Sequence, residues 1–254
     1  MASTTSQPSH AQAQVDSKAR QTGWTALIIL ALLLMEWALV EALKIAPPIS
    51  IVAKHPHKMA IYMRIFYVHV PAFMAGFTAF FVNFLASAAY LWKRSLKSDA
   101  LAIAGAEVGV VFTSIGLITG PIWAKPIWGI WWTWDPRLTL TLVLWVMYVS
   151  YLMLRQLTPT NEQQPRLAAA LAIFFFFDVP IDYMAIRWWR TQHPQPVLFG
   201  GANSGLDPRM ATALWCGVAA FLLLAGLLFR LRYRLECDRQ RIAVLRREAA
   251  LRET

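Results

Sequence analysis

The sequence predicts an all-α integral membrane protein, built as a bundle of six transmembrane helices. Its 254 residues are 57% hydrophobic and only 15% charged, well below the roughly 25% charged residues of soluble domains. The apolar residues are collected in repeated runs of about 20 residues, the length that crosses a hydrocarbon core of roughly 30 Å. Because backbone groups in lipid must pair with one another, each run is expected to form a helix.

The six runs lie at about 24–43, 66–92, 101–120, 138–154, 167–186 and 210–229. The first run contains Glu36 and Glu41 and has no small-residue cleavage site, so it predicts an uncleaved span rather than a signal peptide. We therefore expect the membrane domain to cover residues 23–229.

Polar segments flank this membrane domain. Residues 1–22 are low in complexity and predict a disordered lead. Residues 230–254 carry eight arginines and four acids, a composition typical of a basic cytoplasmic tail that faces lipid headgroups. The formal net charge of +10 is thus concentrated locally, which makes the lipid bilayer a predicted partner and argues against nucleic acid.

The distribution of Lys and Arg predicts the orientation of the bundle. An even number of spans places both termini on one side, where we count 15 basic residues against 9 on the other. The positive-inside rule then predicts N-in and C-in, although the tail decides the count. The many cations on the outer side indicate either an anionic partner or ordinary snorkelling at the interface.

Four of the five histidines fall in the predicted outer segments: His55, His57, His69 and His193. His69 begins the second span and is expected to be half-buried at the interface. Taken alone, it is best interpreted as a histidine hydrogen-bonded to a neighbouring helix, and His193, between polar residues and a proline, as a solvated one. Whether these two histidines form a binding site depends on the residues of the neighbouring outer segments.

The stretch "WGIWWTWDPRLT", residues 128–139, places four tryptophans in seven positions. Anchoring at a membrane interface needs only one or two tryptophans per helix end. Gly129 and Pro136 indicate irregular backbone, so we expect an external tryptophan-rich loop at 122–139, between the third and fourth spans. The density of aromatic rings favours a binding surface.

Haem is the ligand that this combination favours. A planar apolar macrocycle with two carboxylates and a metal centre needs aromatic faces, cations and axial imidazoles. A quinone would not need the cations, and a bare metal ion would not need the tryptophans. The nearby cations are Arg64, Lys125, Arg137, Arg187 and Arg190.

Asp135 and Arg137 stand at the start of the fourth span. We expect Asp135 to cap this helix, with Pro136 in its first turn. Arg137 is expected either to pair with Asp135 or to bind a haem carboxylate.

Other polar residues give weaker signals. Glu107, between Gly105 and Gly109, predicts a close contact between helices. Asp178 and Asp182 share a helical face, with Pro180 breaking the backbone ladder between them; if charged, they need Lys or Arg partners. The two cysteines form no C-x-x-C or C-x-x-C-H motif, which excludes a redox pair and a c-type cytochrome.

The tryptophan-rich stretch resembles the WWD signature of membrane haem-handling proteins in cytochrome c biogenesis. "RIFYVHVPA", "GVVFTSIGLITGPIWAKPIWG" and "WWRTQHPQP" agree with motifs of the CcmC family, whose size and six-span layout this chain shares. The resemblance extends from about residue 64 to residue 209.

The resemblance implies a multi-pass protein of the bacterial inner (cytoplasmic) membrane that binds haem b at the periplasmic face and presents it to the haem chaperone CcmE. The expected partners are CcmE, the small protein CcmD and the ABC transporter subunits CcmA and CcmB. The implied axial ligands of the haem iron are His69 and His193. The remaining implied cofactor-binding residues are Arg64, Trp123, Trp128, Trp131, Trp132, Trp134, Asp135 and Arg137.

Three alternatives remain at this point. A complete haem lyase of the CcsA type would need more spans, another histidine pair and a larger external domain. A transmembrane haem channel would need haem-sized sites on the inner side as well. A purely structural role for the tryptophans would leave His69 and His193 unexplained. A subunit for haem binding and transfer, rather than an independent enzyme, is the favoured prediction.

Overall fold

The computed structural model describes residues 10–45, 62, 64–157, 163–193 and 208–252, and the regular secondary structure within these is all helical. Residues 122–128 and 136–139 of the predicted loop belong to helices, whereas His55 and His57 lie outside the described residues. The helices are α1 (His10–Val40, extended by a π-helical turn Glu41–Ile45), α2 (Phe66–Lys93), α3 (Leu96–Trp128), α4 (Pro136–Leu157), α5 (Gln163–Phe176), α6 (Asp178–Trp188) and α7 (Pro208–Arg252).

Six spans are long and apolar enough to cross a membrane, which confirms the predicted fold. Five of them lie in α1, α2, α3, α4 and α7, and the sixth is formed jointly by α5 and α6 (Gln163–Trp188). The protein is thus a multi-pass membrane protein.

The helices α2 and α3 form the centre of the bundle because small residues let their backbones approach. A Cβ atom on Gly105 would lie 2.8 Å from the carbonyl oxygen of Ala79 and 2.9 Å from the backbone nitrogen of Asn83. The Asn83 side chain donates a 2.7 Å hydrogen bond to the carbonyl of Ala102. The predicted close contact around Gly105 is therefore confirmed, whereas the nearby Glu107 forms an ion pair with Arg232 of α7.

The fifth span is broken at Phe177, three residues before the predicted break. Pro180 instead occupies the first turn of α6, where its missing N–H removes no intrahelical bond. The break lets the two halves diverge: α5 packs on both α2 and α4, whereas α6 packs mainly on α4. Space is left between α2 and α6 on the side where α2 begins.

The end of α3 and the start of α4 differ from the predicted ends of the third and fourth spans. The third span continues beyond residue 120, through Pro121 and Pro126, to Trp128, and Gly129 ends it with a left-handed backbone (φ 79°). Only residues 129–135 of the predicted 122–139 loop are non-helical. The prolines do not end the helix because each removes a single hydrogen bond, which a helix in lipid tolerates.

Both flanking segments continue the helices of the adjoining spans. α1 begins at His10, and residues 1–9 lie outside the described part of the chain. The last span and the arginine-rich segment form one 45-residue helix. Neither 10–22 nor 227–252 contains glycine or proline, so nothing interrupts a helix that propagates from the adjoining span.

Candidate functional site

A cavity of about 480 Å³ occupies the space between α2, α3, α4 and α6. This volume lies within the range of small-molecule sites. The lining residues are mostly apolar and aromatic: Phe66, His69, Val70, Phe73, Met74, Phe77, Thr78, Phe81, Gly116, Leu117, Gly120, Pro121, Trp123, Trp132, Arg137, Leu138, Thr141, Phe176, Val179, Tyr183, Ile186 and His193. Five predicted site residues are thereby brought together: His69, Trp123, Trp132, Arg137 and His193.

His69 lies in the second turn of α2 and is only 7% exposed. The ring contacts Phe73 edge-on at a centroid distance of 4.9 Å and Trp123 at 5.7 Å. A Cβ atom on Gly120 would lie 3.3 Å from its Cε1 atom, so the glycine makes room for the ring. His69 is more buried than predicted because the extension of α3 past residue 120 carries Trp123 over it.

Thr119 of α3 forms a hydrogen bond with the His69 ring. The Thr119 hydroxyl donates to the carbonyl of Ile115 at 2.8 Å and lies 3.0 Å from Nδ1 of His69. With that proton directed to Ile115, the hydroxyl accepts the Nδ1–H of the Nδ1-protonated imidazole tautomer. The Nε2 atom is then left with its lone pair, which is the form of histidine that ligates metals.

His193 reaches the same cavity from the segment that follows α6. The helix ends at Trp188 and is capped by Trp189, whose backbone is extended and whose N–H donates to the carbonyl of Ala185. Four residues further on, the backbone N–H of His193 donates to the Thr191 hydroxyl at 3.0 Å. The half-buried side chain of His193 lines the cavity. Two imidazoles from distant parts of the sequence therefore share one aromatic-walled space.

The tryptophans of the 128–134 stretch separate into inward and outward groups. Trp132 lines the cavity, and its buried Nε1–H has no hydrogen-bond partner within the described residues. Trp131 and Trp134 are 58% and 75% exposed, and Trp128 is half-buried outside the lining. The stretch is therefore not one flat surface, because its non-helical backbone turns successive rings in different directions.

Asp135 caps α4, as predicted. Its Oδ1 accepts from the backbone N–H of Leu138 at 3.1 Å, and its Oδ2 accepts from the Thr133 hydroxyl at 3.2 Å. Neither Asp135 nor Arg64, which lies in the turn before α2, lines the cavity.

Arg137 pairs with Asp182 of α6 instead of with Asp135. Its Nε lies 3.6 Å from Oδ1 of Asp182, and its Nη1 donates to the backbone carbonyl of the same residue. The Asp182 carboxylate is fully buried, with the Thr141 hydroxyl 3.1 and 3.3 Å from its two oxygens. Asp182 thus has the basic partner that a charged acid in a span requires.

Thr119 and the Arg137–Asp182 pair were not identified as site features from the sequence. A threonine in an apolar run is ordinary, and nothing local connects Arg137 with an aspartate 45 positions away. The need of Asp182 for a cation was the one available signal, and it did not specify which cation.

The family profile described as "CcmC: Heme exporter protein C" matches residues 7–248. The Heme exporter protein C of Escherichia coli strain K12 is 36% identical over 174 residues, which cover 67% of this chain and 69% of the relative. Those of Bradyrhizobium diazoefficiens and Paracoccus denitrificans are 30% and 33% identical, over 80% and 74% of this chain and 77% and 79% of the relatives. With this similarity along most of its length, the chain belongs to the CcmC family.

Proposed function

We propose that this protein binds haem in the cavity between α2, α3, α4 and α6 and presents it to a CcmE-like haem chaperone during cytochrome c maturation. The observation that carries this proposal is that His69 and His193 line one aromatic cavity. The name of the relatives, Heme exporter protein C, supports a haem-handling role.

The donor set fits iron held in a macrocycle better than a bare metal ion. Within the described residues, no group of three or more His, Cys, Asp or Glu side chains could hold a metal, whereas structural and catalytic metal sites use three or four protein ligands. Haem supplies four nitrogens of its own and needs only axial ligands from the protein. His69 and His193 suffice for that coordination.

The rest of the lining suits the other parts of haem. Phe73, Phe77 and Trp123 offer apolar ring faces and edges to the macrocycle. Arg137 offers a charge to carboxylates, and the buried N–H of Trp132 offers a donor. We propose haem b, whose vinyl groups supply the chemistry of covalent attachment, while this chain holds and orients it.

The position of the cavity favours presentation over conduction across the membrane. Towards the opposite end of the bundle, Phe80 stacks on Tyr148 with ring centroids 3.7 Å apart, and Tyr148 packs against Tyr151 and Phe175. Phe80, Tyr148 and Tyr151 are buried side chains of one packed core. A ligand bound by His69 is therefore kept at the end of the bundle where α2 begins.

We further propose that this end faces the periplasm across the bacterial inner membrane, with both termini cytoplasmic. In this arrangement Trp131 and Trp134, exposed beside the cavity, are available to a docking chaperone. CcmD-like and CcmA/CcmB-like subunits complete the proposed assembly.

A transfer assay tests the function. Purified protein loaded with haem in lipid nanodiscs would be mixed separately with the soluble domain of CcmE and with an apocytochrome c, and covalent haem would be detected on a denaturing gel. We expect labelled CcmE and unlabelled apocytochrome, with labelling lost in His193→Ala and kept in Gly226→Ala, a site where an added Cβ meets no atom within 4 Å. Labelled apocytochrome without CcmE would instead show a complete lyase.

A further inference from the structure

Arg137 lines the cavity and also forms a buried ion pair with Asp182. We infer that Asp182 is an internal counter-ion that competes with a carboxylate of the bound ligand for Arg137, and thereby lowers the affinity of the cavity. This inference rests on the proposed function and concerns the release of haem, which the geometry of His69 and His193 alone does not explain.

The burial of the pair makes the competition strong. The Asp182 side chain is fully buried and that of Arg137 is 14% exposed. Charges in such surroundings are weakly screened, and an unpaired one is costly. Since arginine stays protonated, Asp182 supplies the neutralising charge whenever the cavity lacks an anionic ligand.

A ligand carboxylate that approaches Arg137 therefore meets a neutral pair rather than a free cation. The guanidinium has five N–H donors, and its contacts with Asp182 leave donors for a second acceptor. The attraction of the cation for the ligand is offset by repulsion from the nearby aspartate. Arg137 can thus orient a carboxylate without holding it tightly, as a transfer site requires.

The position of Arg137 does not depend on the aspartate charge alone. Nη1 donates to the backbone carbonyl of Asp182, and Thr141 accounts for a hydrogen bond to the carboxylate. Asp182→Asn keeps the backbone carbonyl, the side-chain volume and an oxygen for Thr141. This substitution therefore removes the charge and leaves the hydrogen-bonding frame in place.

The test compares haem with haem dimethyl ester, in which both carboxylates are blocked. Binding to the full-length protein in nanodiscs would be followed by absorption, and loss by transfer to excess apomyoglobin. We expect Asp182→Asn to bind haem about tenfold more tightly, since a nearby like charge has been removed, and to release it correspondingly more slowly. Arg137→Gln should weaken haem binding and cancel the gain when combined with Asp182→Asn.

Binding of the dimethyl ester should be the same in the wild type and in all these variants, because no carboxylate is present to sense the charge. Equal affinity of wild type and Asp182→Asn for haem, or parallel changes for haem and the ester, would overturn the inference.

If Asp182→Asn does not fold, Thr141→Val tests the same claim. Loss of the Thr141 hydrogen bond strengthens the hold of Asp182 on Arg137 and should weaken the binding of haem but not of the ester. Failure of the wild type to bind either compound would instead overturn the proposed function.

Discussion

His69 is held by contacts from two helices, and each contact has a separate physical role. Phe73 and Trp123 fix the plane of the ring, Gly120 leaves room for it, and Thr119 forms a hydrogen bond with its Nδ1. Outer-shell partners of this kind typically change metal affinity 10–100-fold when removed. Thr119 is thus as much a part of the proposed iron site as the ligand itself.

Thr119→Val should lower the affinity for haem by about tenfold, because the Nδ1–H loses its acceptor and the ring its preferred tautomer. Haem titration of the purified protein measures this effect. Thr119→Ser keeps the hydroxyl and should bind as the wild type does. If valine and serine behave alike, the hydrogen bond does not orient the ligand.

Trp132→Phe should weaken haem binding by about tenfold while leaving haem dimethyl ester unaffected, because the variant lacks the buried N–H but keeps an aromatic ring. Trp134→Phe is the matched control, since Trp134 is exposed outside the cavity, and it should change neither affinity. A loss that is the same for both compounds would assign Trp132 a packing role only.

The site residues with ligating or charged side chains could be predicted from the sequence, whereas the residues that contact them could not. His69, His193 and Arg137 are unusual residue types in an apolar chain, and the cavity includes all three. Thr119 and the Asp182 partnership depend on which helices adjoin, information that a single sequence does not contain.

Among the helices, α2 and α3 determine the shape of the site. Gly105 brings the two backbones together, and Gly109 makes room for the Phe80 ring. The helix α3 then continues far enough to place Thr119, Gly120 and Trp123 beside His69. The broken span, α5 and α6, supplies the opposite wall because α5 packs on both α2 and α4, whereas α6 packs mainly on α4 and diverges from α2.

Gly105→Val should destabilise the bundle by about 1–3 kcal/mol, the usual cost of overpacking, because the added atoms meet the backbone of Ala79 and Asn83 rather than a movable side chain. Thermal unfolding in detergent measures the effect. Gly226→Val, at a position where an added Cβ meets no atom within 4 Å, should unfold close to the wild type. Equal melting of the two variants would contradict the proposed role of the α2–α3 contact.

The spans themselves were predictable because lipid imposes both their length and their helical form. The ends of the helices were less predictable: α3 is longer than predicted, and the fifth span is divided into α5 and α6. Pro121 and Pro126 are weak markers of helix ends here, because each removes only a single hydrogen bond and α3 continues through both. Pro180 follows the break instead of causing it, because it lies in the first turn of α6.

At the scale of the whole molecule, most ion pairs among the described residues lie at the end opposite the cavity. Arg155 pairs with Asp99 at 2.7 Å, and Gln240 of α7 donates to the same carboxylate at 3.3 Å. At 45 residues, α7 is roughly 68 Å long and exceeds the thickness of the hydrocarbon core. Its arginine-rich part therefore extends beyond the membrane on the side away from His69.

The orientation can be measured by cysteine labelling in a variant without Cys216 and Cys237. Gln192→Cys, beside the cavity, should react with a membrane-impermeant maleimide in intact spheroplasts, since the positive-inside rule places that end outside. Ala250→Cys, at the exposed end of α7, should react only after permeabilisation. The reverse pattern would place the cavity on the cytoplasmic side.

The most direct test of the central claim is the visible absorption spectrum of haem-supplied wild type beside His69→Ala and His193→Ala. Two imidazoles on one iron predict a low-spin spectrum in the wild type, and loss of either ligand should shift or abolish the Soret and α/β bands in each variant. Equal haem content with identical spectra in all three proteins would contradict the assignment of His69 and His193 as axial ligands.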